Sequence, residues 1–155
     1  MAVLEIKTLG EPVLRQQTQP IKRVTKRISR LIRDMLETMY AAEGAGLAAP
    51  QVGIRKQIVV IDVGDGPIVL LNPEIISREG EDIDVEGCLS VPGKKAYVKR
   101  AANVEVEALN EKGKPFRIKG EGLLARALQH EIDHLNGILY VDLVDEAEIF
   151  SEGDE

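Results

Sequence analysis

Both histidines of the chain lie in one stretch, Gln129-His130-Glu131-Ile132-Asp133-His134. A spacing of four puts His130 and His134 on the same face of an α-helix, where two imidazoles can grip one metal ion. Glu131 stands one step round from the first histidine, where a carboxylate can take a proton from water at that ion. A catalytic metal site has three protein ligands and an open position, so the fold must bring a further ligand to this helix from elsewhere.

At 155 residues the chain is predicted to form a single domain, residues 1–155, able to bury a core without disulfides or a structural metal. Aromatic residues make up only 3% and tryptophan is absent, so the core must be built from Leu, Ile, Val and Ala. Twenty basic against 26 acidic residues leave a net charge of −6, which excludes a protein that relies on bulk positive charge; no direct nucleic-acid binding is expected. The single cysteine, Cys88, excludes an internal disulfide and suits a reducing compartment. Met1 to Gly10 lacks the continuous apolar run of a secretory signal, and no segment is long and apolar enough to span a bilayer. The expected location is cytoplasmic, with no membrane partner.

Apolar residues Ile28, Leu31, Ile32, Met35, Leu36 and Met39 recur at helical spacing, which predicts an N-terminal amphipathic helix from about Thr25 to Glu43-Gly44. The basic cluster Lys22 to Arg33 is read as its solvated face, with an anionic contact surface as the alternative. Gln57 to Val63 reads as a strand closed by Gly64-Asp65-Gly66-Pro67, and Ile68 to Leu71 as a second strand ended by Asn72-Pro73. Asp82 to Leu89 is a further candidate strand. Val104 to Ala108 and Phe116 to Ile118 form a predicted hairpin around Asn110–Lys114. A helix is expected over about Gly120 to Asn136, ended by Gly137 in a left-handed conformation, with a short last strand at Ile138 to Val141. Helix, hairpin-connected strands and helix, without a βαβ rhythm, indicate an α+β domain. The acidic tail, residues 146–155, is expected to fray, above all from Ser151 onward.

Cys88 is the outstanding candidate for the third ligand. It lies in Glu86-Gly87-Cys88-Leu89-Ser90 at the end of a predicted strand, although read alone it is as readily a buried core thiol. A third segment, Gly44-Ala45-Gly46-Leu47-Ala48-Ala49-Pro50-Gln51, is small enough to let a backbone lie close to a ligand, though such loops are often mere connectors. The three segments in this order and at these separations resemble the peptide deformylases, which remove the formyl group from the N-terminal formyl-methionine of new polypeptides. The similarity runs from Ile6 to about Val144.

That resemblance implies an α+β fold with antiparallel sheets packed around a central metal-binding helix. It also implies one divalent ion held by Cys88, His130 and His134, with Fe²⁺ as the native metal and Zn²⁺, Ni²⁺ or Co²⁺ able to replace it. Glu131 is then the general base, while the Gln51 amide and the backbone N–H of Leu89 stabilise negative charge on the formyl oxygen. Gly46 and Ala45 would pair with the peptide backbone, and Leu123 and Ala127, at helical spacing from His130, would wall the methionine pocket. Glu86 and Asp133 are candidates for orienting the ligands. Many members of the family carry a branched aliphatic residue where this chain has Ala45, which opens the cleft rim. The long basic C-terminal helix of some members is replaced by an acidic tail. The implied substrates are formyl-methionyl peptides, nascent chains at the ribosome. Two rivals stand beside this reading: a zinc metalloprotease, which shares the His-Glu-x-x-His pattern, and a catalytically silent deformylase-like protein.

Overall fold

A computed structural model describes residues 2–151 as two antiparallel sheets and two long helices. The larger sheet is formed by β1 (Gly46–Ala48), β2 (Ile58–Ile61), β3 (Ile68–Glu79), β6 (Asn103–Leu109) and β7 (Pro115–Glu121), in that spatial order. The smaller contains β4 (Asp82–Cys88), β5 (Val91–Arg100) and β8 (Phe150–Ser151). The helices are α1 (Lys26–Ala41) and α2 (Gly122–Leu135). The α+β class and the antiparallel pairing are as expected.

The larger sheet is covered on both faces, which explains why β2 is apolar at every position. Ile58 and Val60 pack with Ile28, Ile32, Met35 and Met39 of α1. Val59 and Ile61 point the other way, into a cluster with Ala125, Leu128, Ile132 and Leu135 of α2. Each Leu, Ile or Val so buried contributes about 1.5–3 kcal/mol of transfer free energy. The side chain of Thr25 caps α1 by accepting a 3.2 Å hydrogen bond from the Ile28 N–H. On its far side α2 meets the smaller sheet, so ten of its fourteen residues are buried. Gly137 ends it with φ +78°, as expected, and a Cβ there would come within 2.7 Å of the Arg15 carbonyl oxygen.

Four sequence expectations need correction. The strand predicted to stop at Asn72-Pro73 runs on to Glu79. Its register shifts between Leu71 and Glu74, and Asn72 takes a left-handed φ of 51°. The Asn72 side chain accepts from the Ile21 N–H at 2.7 Å and donates to the Ile21 carbonyl at 2.8 Å, holding an irregularity at which proline is tolerated. Strand β5 has no counterpart in the sequence reading, because Pro92, Gly93 and three lysines disguise a run whose alternate residues Ala96, Val98 and Arg100 point inward. Ile138 to Val141 is not a strand; a short 3₁₀ turn occupies Tyr140–Leu143. Within the acidic tail, Glu146–Glu148 form another 3₁₀ turn and Phe150–Ser151 pair with Lys95 and Lys94 of β5, so fraying does not describe these residues. The part of that expectation falling on residues 152–155 lies outside the described residues.

Candidate metal centre

The buried side of α2 carries His130, Glu131 and His134 toward the turn that joins β4 to β5. Cys88 is the last residue of β4, so strand geometry fixes where its thiol points. Its Sγ lies 3.3 Å from His134 Nε2, and one donor atom from each of Cys88, His130 and His134 falls within 4.8 Å of the others. The structure thus brings together three side chains that are at least 42 positions apart in one case and four in the other, as counted along the sequence from Cys88 to His130 and from His130 to His134.

Gln51 approaches from the other side. Its Oε1 accepts from the Ala48 N–H at 2.9 Å, which turns its amide N–H₂ toward Ser90 Oγ at 3.1 Å and Cys88 Sγ at 3.6 Å. Leu89 occupies the turn after Cys88 and packs against the α1 side of the core. Glycine at 46 is required by contact: a Cβ there would stand 2.6 Å from Glu131 Oε2. Backbone of β1 therefore lies directly against the Glu131 carboxylate. Gly46, Gln51, Cys88, Leu89, His130 and Glu131 line a cleft of about 580 Å³ together with Ala45, Leu123 and Ala127, while His134 is fully buried and is not part of that lining. Leu123 is exposed at its mouth and Ala127 is buried.

Beneath the histidines runs a closed ionic network. His130 Nδ1 lies 2.8 Å from Glu86 Oε1. Glu86 also receives Arg100 through Nε at 2.8 Å and Nη2 at 2.9 Å, and Arg126 through Nη1 at 2.6 Å. Burial alone would raise the Glu86 pKa, but hydrogen bonds from Arg100 and His130 outweigh it and bring it down to about 2. An ionised Glu86 holds a proton on His130 Nδ1, so that the ring, once neutral, offers its Nε2 lone pair to the cleft. Asp133 touches neither histidine ring; its carboxylate accepts from Arg100 Nη1 at 2.7 Å and so acts on the network one step further out. Arg126 is anchored in turn by the Val98 carbonyl at 2.8 Å.

Two observations fit a cation among these donors. Burial resists charging of His130, yet Glu131, Cys88 and Glu86 together push its pKa well above the ordinary value, whereas burial and the charges of His130 and Arg100 hold His134 well below it, so one ring position favours positive charge and the other stays neutral. Glu131 Oε1 is buried with no protein partner among the described residues. A thiol with two imidazoles is a donor set for Zn²⁺ or Fe²⁺ rather than Mg²⁺ or Ca²⁺. Glu131 itself is buried, and burial raises its pKa to about 7, with His130 and Arg100 working against that rise and Glu86 and Asp133 with it.

A family model described as polypeptide deformylase matches residues 3–149. The chain belongs to that family. Among deformylase relatives, the peptide deformylase of Desulfitobacterium hafniense is 58% identical over 142 residues, covering 92% of this chain and 95% of that protein. That of Halothermothrix orenii is 58% identical over 146 residues, covering 93% and 95%. The crystal structure of a peptide deformylase from Legionella pneumophila superposes with a TM-score of 0.92 at 48% identity, over 95% of this chain and 89% of that one. One from Synechococcus elongatus, in complex with actinonin, gives 0.91 at 48% identity, over 94% and 81%. The deformylase family is one of metalloenzymes, and the Cys88, His130 and His134 group agrees with that.

Sequence reasoning missed Arg100, Arg126, Ser90 and Tyr140. Arg126 carried a signal, since it lies four residues before His130 on the same helix face. Arg100 did too: it continues the inward alternation of Ala96 and Val98, placing a charge at a core position. Tyr140, fully buried and stacked on His130 with ring centroids 6.1 Å apart, belongs to the segment misread as a strand.

Proposed function

We propose that this chain is a metal-dependent amide hydrolase that removes the formyl group from N-terminal formyl-methionine, releasing formate and a free peptide N-terminus. One observation carries the reading: a thiol and two imidazoles converge at the wall of an open cleft, beside a carboxylate of which one oxygen has no partner among the described residues. Cys88, His130 and His134 would hold the ion, which when bound supplies an acidified water and polarises the formyl oxygen. Ferrous iron is the native metal in this reading, and Zn²⁺, Ni²⁺ or Co²⁺ suit the same donors.

Glu131 accepts the proton of the attacking water, and a pKa near neutrality suits a general base. Negative charge then grows on the formyl oxygen, where the Gln51 amide and the Leu89 backbone N–H are the donors. A fixed donor of this kind is worth roughly 3–4 kcal/mol. The C–N bond breaks as Glu131 returns the proton to the departing amine. The peptide backbone lies along β1, which among the described residues has a sheet neighbour only in β2, so its outer edge at Gly46, with Ala45 just before it, accepts an added strand. Leu123 and Ala127 wall the pocket for the methionine side chain.

The substrates are nascent chains at the ribosome, which places the work in the cytoplasm; among the described residues no helix is long and apolar enough to cross a membrane. A metalloprotease reading is weaker, because the thiol comes from upstream of the helix and no histidine follows His134. A catalytically silent protein would have no use for Glu131 or for an open position. Formate release from formyl-Met-Ala under anaerobic conditions, with metal analysis on the same sample, tests the reading. We expect formate at one bound metal per chain. Cleavage of an internal peptide bond with no formate would overturn it.

A further inference from the structure

Lys22, Arg23, Lys26, Arg27, Arg30 and Arg33 are all exposed, and no acidic residue lies among residues 22–33. None of the six forms an ion pair among the described residues, whereas Arg15, Arg100, Arg117 and Arg126 all do. Within α1, Lys26, Arg27, Arg30 and Arg33 follow spacings of three and four and so share one stripe. The turn between β6 and β7 extends this patch: a Cβ at Gly113 would sit 3.4 Å from Val24, with exposed Lys112 and Lys114 on either side.

Folding does not call for this arrangement. Lys26 and Arg27 stand in the first turn of α1, where the helix dipole favours acids, and that turn contains none. Two cations are therefore placed against the helix dipole, within a cluster of six whose nearest acids along α1 are Asp34 and Glu37, in a chain of net charge −6. Screening over about 8–10 Å at physiological salt makes the local patch, not the distant acidic surface, what a docked polyanion feels.

We propose, against the expectation drawn above from net charge alone, that this face docks on the phosphate backbone of structured RNA. Four of the six cations are arginines, whose planar forks bind phosphate oxygens in pairs. An anionic membrane is the poorer partner, because the basic stretch has no apolar face of its own to offer. Ile28, Ile32, Met35 and Met39 are buried, and Val24 and Leu31 pack on the same cluster; the exposed Tyr40 stands at the far end of α1. None of the six lines the cleft, so docking leaves the site open to substrate.

The test uses the full metal-loaded chain and a labelled 20-base-pair RNA duplex, followed by fluorescence anisotropy between 50 and 200 mM salt. Saturable binding is expected, with a log–log salt slope of about −4 or steeper. The triple variant Lys26→Glu, Arg27→Glu, Arg30→Glu should bind at least tenfold more weakly while hydrolysing formyl-Met-Ala at the wild-type rate, which also shows that it is folded. No binding at 50 mM salt would overturn the proposal, as would equal binding by the variant. Capture by phosphatidylglycerol vesicles at concentrations where the duplex is not bound would transfer the face to a membrane and equally overturn it. Hydrolysis and RNA binding are read separately, so either can fail alone.

Discussion

Helices α1 and α2 flank the same sheet, yet they meet their surroundings in opposite ways. One apolar stripe of α1 is buried and its basic residues face solvent. In α2 the stripe against the sheet is equally apolar, but the opposite side, with Arg126, His130, Glu131 and His134, is buried as well. Putting charges out of water costs several kcal/mol each unless they are paired and hydrogen-bonded. Glu86, Arg100, Arg126 and Asp133 provide that pairing. The contrast separates a helix that the core needs from one that the chemistry needs.

The sharpest way to break the comparison is Glu131→Gln. Losing a general base should lower kcat for formyl-Met-Ala by about 10²–10⁴ while metal content stays at the wild-type level. Near-normal turnover would remove Glu131 from its proposed role. Next comes Arg100→Met, which removes two of the hydrogen bonds on buried Glu86 and the one on Asp133 and should destabilise the fold by about 3–5 kcal/mol, read by urea denaturation. It should also weaken metal retention, because His130 is oriented through Glu86. Ile32→Ala in α1 is the control: a cost of about 2–5 kcal/mol with kcat/KM per folded molecule unchanged. If Ile32→Ala altered the metal content as Arg100→Met does, the two helices would not differ as argued.

The smallest effect belongs to Asp142, outside both helices. Burial opposes ionisation there, but Arg15 and the Leu139 N–H hold its carboxyl below the ordinary value. A depressed pKa contributes stability above the carboxylate range and loses it as pH falls through the folded value. Asp142→Asn should therefore cost less than about 1 kcal/mol at pH 7, since the pair is partly exposed, and nothing once both proteins are acidified. A gap that persists at low pH would point to a cause other than charge.

Local pattern made much of this legible. The 3.6-residue period of α1, the apolar run of β2, the hairpin around Asn110–Lys114 and the left-handed Gly137 are each decided within a few residues of themselves. The candidate site was legible in kind for the same reason, since His130, Glu131 and His134 lie within one and a half turns of helix. What escaped was everything whose meaning depends on a distant partner. Pro73 reads as a stop until Ile21 pairs with Asn72. Strand β5 has no signal of its own until its neighbour β4 accepts its backbone, and Phe150–Ser151 reads as tail until β5 does.

The amino-acid order by itself determined the helices, the class of the fold and the side chains able to hold a metal, because periodicity and residue chemistry act over short range. Only the tertiary structure decided that Cys88 meets His134 at 3.3 Å, that Gly46 leaves room for Glu131, and that Arg100 and Arg126 neutralise Glu86 beneath His130. These contacts join segments tens of residues apart. They arise when sheets close around α2 and exclude water, which is also what gathers a thiol and two imidazoles into a group able to hold a metal ion.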